Sequence, residues 1–126
     1  MTILCVDDDS EDLELLRGAI EEIDSSINYL SAGTGQEALD LLERGLSPNL
    51  IFLDINMPGM NGITCLAKIR ENKKLDEINV VLLSTSHYPL SIQKIKSLPA
   101  DFYTKPGSYE DLKNILNLAL SKVKVE

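Results

Sequence analysis

NLIFLD, residues 49–54, is apolar on both faces and ends in a carboxylate. A strand with no polar face belongs in the middle of a parallel sheet, covered by helices above and below. The Pro/Gly turn from Met57 to Gly62 follows it, and Ile63, Leu66, Ala67 and Ile69 mark the helix beyond. On the amino-terminal side, Thr2–Val6 reads as a buried strand, followed at once by Asp7, Asp8 and Asp9, with Asp9 or Ser10 able to cap a helix. That helix carries Leu13, Leu16, Ala19, Ile20 and Ile23 at helical spacing. Ile27–Ser31 is the second strand, and Thr34 with Glu37 forms a capping box for a helix that Gly45 stops.

Beyond the centre, Val80–Ser84 is the fourth strand, and Pro89 opens a short helix with Ile92, Ile95 and Leu98. Phe102 and Tyr103 form a short fifth strand ended by Lys105-Pro106. Ser108 caps a last helix with Leu112, Ile115, Leu116, Ala119, Leu120 and Val123 on its inner stripe. Strand and helix alternate five times, which predicts an α/β fold with a parallel sheet covered on both faces. No repeat, linker or low-complexity segment interrupts the alternation, and 126 residues with 44% apolar content suit one domain over 1–126 with no output domain.

Net charge is −8, which disfavours nucleic acid and anionic membrane surfaces. No apolar run reaches the roughly 20 residues of a membrane helix, so a cytoplasmic protein is expected. Cys5 and Cys65 sit in apolar or amphipathic runs without CxxC spacing and read as buried thiols.

Ligand sites in such sheets lie outside the carboxyl ends of the strands. That rule gathers Asp7 and Asp8 (strand one), Asp54 (strand three), Ser84 (strand four) and Lys105 (after strand five) on one rim. Carboxylates at about 4 Å repel by roughly 4 kcal/mol at an effective dielectric near 20, so the rim needs a cation or raised pKa values. Mg²⁺, with Mn²⁺ as an alternative, fits Asp8 and Asp54 as direct ligands and Asp7 as one reaching the ion directly or through water, with the main-chain carbonyl of Asn56 added from the turn. Beside such an ion an aspartate can attack phosphorus, with Lys105 and the Ser84 hydroxyl neutralising two phosphoryl oxygens. Each residue also has a plain reading: a DDD run is often a solvated turn, Lys105 a surface lysine, and Ser84 a partner of local backbone. Convergence at strand ends favours the chemical reading. His87, the sole histidine, reads as structural or exposed.

Four pieces in register, ILCVDDD at 3–9, LIFLDINMPGMNG at 50–62, VVLLSTS at 80–86 and FYTKP at 102–106, resemble the receiver domains of bacterial response regulators, of the stand-alone chemotaxis-regulator type. The resemblance implies a flavodoxin-like, doubly wound sheet of order 2-1-3-4-5 with five helices. It implies Asp54 as phosphoacceptor, Ser84 and Lys105 as its helpers, and a switch through Ser84 and Phe102, the latter without the hydroxyl of many relatives. Asn56 and Ser86 fall where acyl-phosphate lifetime is tuned, Thr85 where smaller residues are common, and Pro99 where a glycine-containing turn is usual. A cis Lys105–Pro106 bond is also implied. The expected donor is a sensor histidine kinase or phosphotransfer protein, and the output is another protein, met by the face of the fourth helix, fifth strand and last helix. The chain would act as a monomer or a phosphorylation-linked homodimer, as a phosphoprotein rather than an enzyme. A receiver fold that signals without phosphorylation is the alternative. An aspartyl-phosphate phosphatase is disfavoured because Asn56 stands where a second acid would be needed, and a flavin carrier because the first loop presents carboxylates.

Overall fold

In the computed structural model, which describes residues 1–85 and 99–123, the central strand is β3, Leu50–Asp54, buried along its whole length. It is buried because strands flank it on both sides. It pairs in parallel with β1 (Thr2–Val6) and with β4 (Asn79–Ser84). Outside these lie β2 (Asn28–Ala32) and β5 (Asp101–Thr104), giving five parallel strands in the order β2-β1-β3-β4-β5. The expected flavodoxin-like topology is the one observed.

Four helices connect them among the described residues: α1 (Ser10–Ile23), α2 (Gly35–Glu43), α3 (Gly62–Glu71) and α4 (Tyr109–Ser121), with a 3₁₀ turn at Lys73–Leu75. The helix expected around Ile92, Ile95 and Leu98 lies outside the described residues, as do Ser86 and His87. No helix among the described residues is long and apolar enough to cross a membrane.

Alternation along each strand sorts the core into two layers. Leu4, Val6, Ile51, Leu53, Val80 and Leu82 face α2 and α3, packing with Ala38, Leu42, Leu66 and Ile69. Ile3, Cys5, Leu50, Phe52, Val81 and Leu83 face α1 and α4, packing with Leu16, Ala19, Ile20, Leu112 and Leu116. Fully burying one such side chain contributes roughly 1.5–3 kcal/mol, so this double-sided core is what holds the strand ends in place.

Local chemistry sets the boundaries. Asp9 caps α1 by accepting from the Glu11 amide at 2.9 Å, and Ser108 caps α4 from Asp111 at 3.1 Å. Thr34 accepts from the Glu37 amide at 3.0 Å, but the Glu37 carboxylate reaches back to the Gly33 amide, one residue short of the expected box. Gly45, with φ of 106°, ends α2: its amide bonds the Leu42 carbonyl and the Leu46 amide the Leu41 carbonyl, both at 3.1 Å. Two expectations need correction. β2 starts at Asn28, because the Ile27 amide is taken by a turn to the Asp24 carbonyl. On α3, Ala67 is exposed, and Cys65 fills the inner stripe with Leu66 and Ile69. Cys5 and Cys65 are free and buried as expected; burial pushes the Cys65 thiol up to about 11.

Candidate functional site

Two carboxylates that end strands are buried at the carboxyl rim of the sheet, Asp7 at 2% exposure and Asp54 at 3%. Asp7 is fixed from both sides: its amide continues the ladder to the Ala32 carbonyl, and its Oδ1 accepts from the Asp9 amide at 2.9 Å. Asp54 is held by the Asn56 amide, which donates to Oδ1 at 3.1 Å. Gly62 lets α3 start directly against this corner. A Cβ there would collide with the Asp54 carbonyl oxygen and approach the Ile55 Cα to 2.8 Å. Asp8 completes the group from an exposed position, and Asp7, Asp8 and Asp54 each offer an oxygen within 4.8 Å of the others.

Lys105 arrives from the end of β5, its amide bonded to the Ser84 carbonyl at 2.7 Å. Its Nζ lies 2.8 Å from Asp12 Oδ2, 3.0 Å from Asp7 Oδ2 and 3.5 Å from Asp54 Oδ1. The bond from Lys105 to Pro106 is trans, correcting the cis isomer that the resemblance implied; no cis peptide occurs among the described residues. Trans is the lower-energy form of an X–Pro bond by about 0.5–1 kcal/mol, and from it the ammonium already reaches the carboxylates.

The electrostatics are those of an overcrowded acidic pocket, with Asp7, Asp12 and Asp54 around one ammonium and Asp8 beside Asp7 and Asp54. Burial, reinforced by the Asp7 charge, raises Asp54 to about 6 despite the opposing Lys105. Burial also raises Asp7, against the hydrogen bond from the Asp9 amide and the pull of Lys105. For Lys105, burial alone would depress the pKa, but Asp12, Asp7 and Asp54 outweigh it and hold the ammonium above its ordinary value. The donor set, hard oxygens with two of the three groups buried, fits a small divalent cation: it removes the repulsion that burial imposes.

Ser84 is fully buried, and its hydroxyl donates to the Thr85 carbonyl at 2.9 Å or to Asn56 Oδ1 at 3.1 Å, rather than toward Asp54. The sequence assigns Asn56 a role through its main-chain carbonyl; in the structure its side chain also braces the end of β4, with Oδ1 accepting from the Thr85 amide at 3.0 Å. Phe102 is half-buried against the α2/α3 layer, on the strand that carries Lys105. The rim therefore gathers Asp7, Asp8, Asp54 and Lys105 into direct proximity. Ser84 stands at the same end with its hydroxyl turned aside. Asp12 is the contact that sequence reasoning missed. An acid in the first turn of a helix reads as a dipole partner, and nothing local announces a lysine 93 residues away.

Comparison with known proteins agrees with this geometry. Residues 3–117 match the family model of the response regulator receiver domain. The two-component response regulator ORR11 of Oryza sativa subsp. indica is 30% identical over 119 residues, covering 94% of this chain and 80% of that protein. Among solved structures, the phosphorylated cyanobacterial phytochrome response regulator RcpA is similar with a TM-score of 0.86 and 28% identity, covering 98% of this chain and 96% of that one. The Mn²⁺-bound form of response regulator Rcp1 is similar with a TM-score of 0.81 and 26% identity, covering 99% and 98%. The chain belongs to the response regulator receiver domain family.

Proposed function

We propose that this receiver is a phosphorylation-dependent signalling switch whose Asp54 takes a phosphoryl group from a phosphohistidine of a sensor kinase or phosphotransfer protein. The observation that carries this reading is the placement of a buried Asp54 within 4.8 Å of Asp7 and Asp8 oxygens and 3.5 Å from the Lys105 ammonium. A carboxylate oxygen of Asp54 attacks phosphorus, the P–N bond breaks, and its electron pair returns to the imidazole, which takes up a proton. Mg²⁺, or Mn²⁺ as in the bound form of Rcp1, would be held by Asp7, Asp8, Asp54 and the Asn56 main-chain carbonyl, and would supply positive charge to the phosphoryl oxygens.

The chain's own groups do the rest. Lys105 donates to a second phosphoryl oxygen as a charge-assisted bond. The Ser84 hydroxyl, turned from its present acceptors Thr85 and Asn56, donates to a third. That rotation and the packing of Phe102 are the route by which the modified rim alters the β5 surface read by a downstream protein. A phosphoryl group shifts this equilibrium only through its differential contacts in the two states. The chain acts as phosphoacceptor, with Mg²⁺-dependent self-phosphorylation and self-dephosphorylation, rather than as an enzyme for a separate substrate, and it works in the cytoplasm.

Incubation with a small phosphodonor is the test. In Mg²⁺ the wild type is expected to gain one phosphoryl mass, with no gain in chelator and none in Asp54→Asn. A folded wild type whose mass stays unchanged in Mg²⁺, or an Asp54→Asn variant that is modified equally, overturns the reading.

A further inference from the structure

The carboxylate closest to the Lys105 ammonium takes no part in the phosphoryl chemistry. Asp12 Oδ2 is 2.8 Å from Nζ, nearer than Asp7 at 3.0 Å, whereas Asp54 at 3.5 Å is an ion pair too long for a good hydrogen bond. Asp12 stands outside the cluster of Asp7, Asp8 and Asp54. A cation bound there would draw on the charge of Asp7 and Asp54 and leave that of Asp12 intact.

The space around the lysine points the same way. Asp7, Asp12 and Lys105 all line a cleft of about 170 Å³ between α1 and the start of α4, with Leu15, Tyr109 and Leu112 among its walls. Asp54 does not line it. The ammonium thus has room and a dedicated counter-charge on the side away from the phosphoacceptor.

We propose that Asp12 is a positioning residue that tethers Lys105 toward the α1–α4 cleft and so slows phosphoryl transfer to Asp54, an inference that rests on the phosphoacceptor reading of Asp54. During transfer Lys105 exchanges one charge-assisted hydrogen bond, to Asp12, for another, to a phosphoryl oxygen. The net stabilisation of the transferred group is then smaller than an untethered lysine would give. Asp12 touches neither the phosphoryl group nor the cation; it acts through Lys105.

A double-mutant cycle tests this with the rate of mass gain from a small phosphodonor at saturating Mg²⁺. Asp12→Asn, and Asp12→Ala as a second variant, are expected to react about fivefold faster than wild type. In a Lys105→Met background, slower throughout, the same changes at Asp12 are expected to leave the rate unaltered. Loss of the gain in that background separates a tether from simple relief of repulsion on an anionic donor. A gain that survives Lys105→Met overturns the inference, as do rates of both Asp12 variants within about twofold of wild type. A wild type that takes up no phosphate instead overturns the reading of Asp54 and the inference with it, so the two failures are distinguishable.

Discussion

Two half-buried cations at opposite ends of the sheet, Lys105 and Arg70, are satisfied in opposite ways. At the carboxyl end, Lys105 sits among carboxylates that outnumber it. At the amino end, the Arg70 guanidinium at the close of α3 is bound by main-chain carbonyls: Nη1 to Leu75 and Asp76 at 2.9 and 3.4 Å, Nη2 to Ile78 and Pro99 at 2.9 Å each, and Nε to Pro99 at 3.3 Å. These bonds fasten α3 and the 3₁₀ turn to the entries of β4 and β5. The Arg70 site is complete, with its donors matched to acceptors of fixed position. The Lys105 site carries surplus negative charge. Completeness makes one a fastener, and surplus negative charge leaves the other with oxygens that could hold a cation.

The largest effect is expected at the fastener. Arg70→Ala removes the donor from carbonyls of four residues, of which those of Leu75 and Ile78 are partly shielded from water, and should destabilise the fold by roughly 3 kcal/mol in urea denaturation. Arg70→Lys should recover only part of this, because an ammonium cannot reproduce the planar fork. Under conditions where the variant stays folded, its Mg²⁺-dependent phosphorylation should match the wild type. A loss below about 1 kcal/mol would mean that water replaces the guanidinium and that the contrast between the two ends is false.

The opposite sign is expected at the rim. The raised pKa of Asp54, about 6 in the fold against an ordinary value of 3.8, means that the folded protein binds the proton more tightly than the unfolded chain. The stability it contributes is fully present below the unfolded value and is lost as pH rises through about 6. In chelator, Asp54→Asn should therefore match wild type near pH 4 and exceed it by about 2 kcal/mol near pH 7. Added Mg²⁺ should raise the melting temperature of the wild type and leave the variant nearly unmoved. A variant less stable than wild type at neutral pH in chelator would show that Asp54 is held by favourable contacts rather than against repulsion.

What the sequence made legible follows from the range of each signal. NLIFLD declared a central strand because burial on both faces is written residue by residue, and Asp9, Thr34, Gly45 and Ser108 declared helix ends because caps act within one turn. The rim was legible because topology converts those local elements into a set of strand ends, which gathers Asp7, Asp8, Asp54, Ser84 and Lys105. Neither cation's partners could be read this way. Arg70 shows only a basic residue in a last helical turn, and its bonds go to carbonyls, which every residue has and no sequence distinguishes. Asp12 and Lys105 are far apart in the chain, and their contact depends on the direction of two flexible side chains. The cis expectation at Pro106 came from the resemblance and not from the Lys-Pro pair, whose intrinsic preference is the trans form observed.

The smallest effect probes the boundary between the two kinds of site, where Asn56 spans from the loop after β3 to the end of β4. Its Oδ1 accepts from the Thr85 amide at 3.0 Å, from Ser84 Oγ at 3.1 Å and from Thr85 Oγ1 at 3.2 Å. Asn56 is exposed, so water can replace much of what Asn56→Ala removes, and the Ser84 hydroxyl keeps its alternative acceptor in the Thr85 carbonyl. The cost should therefore be only about 1 kcal/mol in urea. It should be accompanied by faster hydrogen exchange at the Thr85 amide, because that proton loses its side-chain acceptor. If Asn56 is a brace of the fixed kind, its removal loosens β4 without touching the acidic pocket, and the Mg²⁺-dependent rise in melting temperature stays as in wild type. If that rise shrinks while Thr85 exchange is unchanged, Asn56 serves the charged rim instead, and the end of β4 belongs to the reactive side of the comparison.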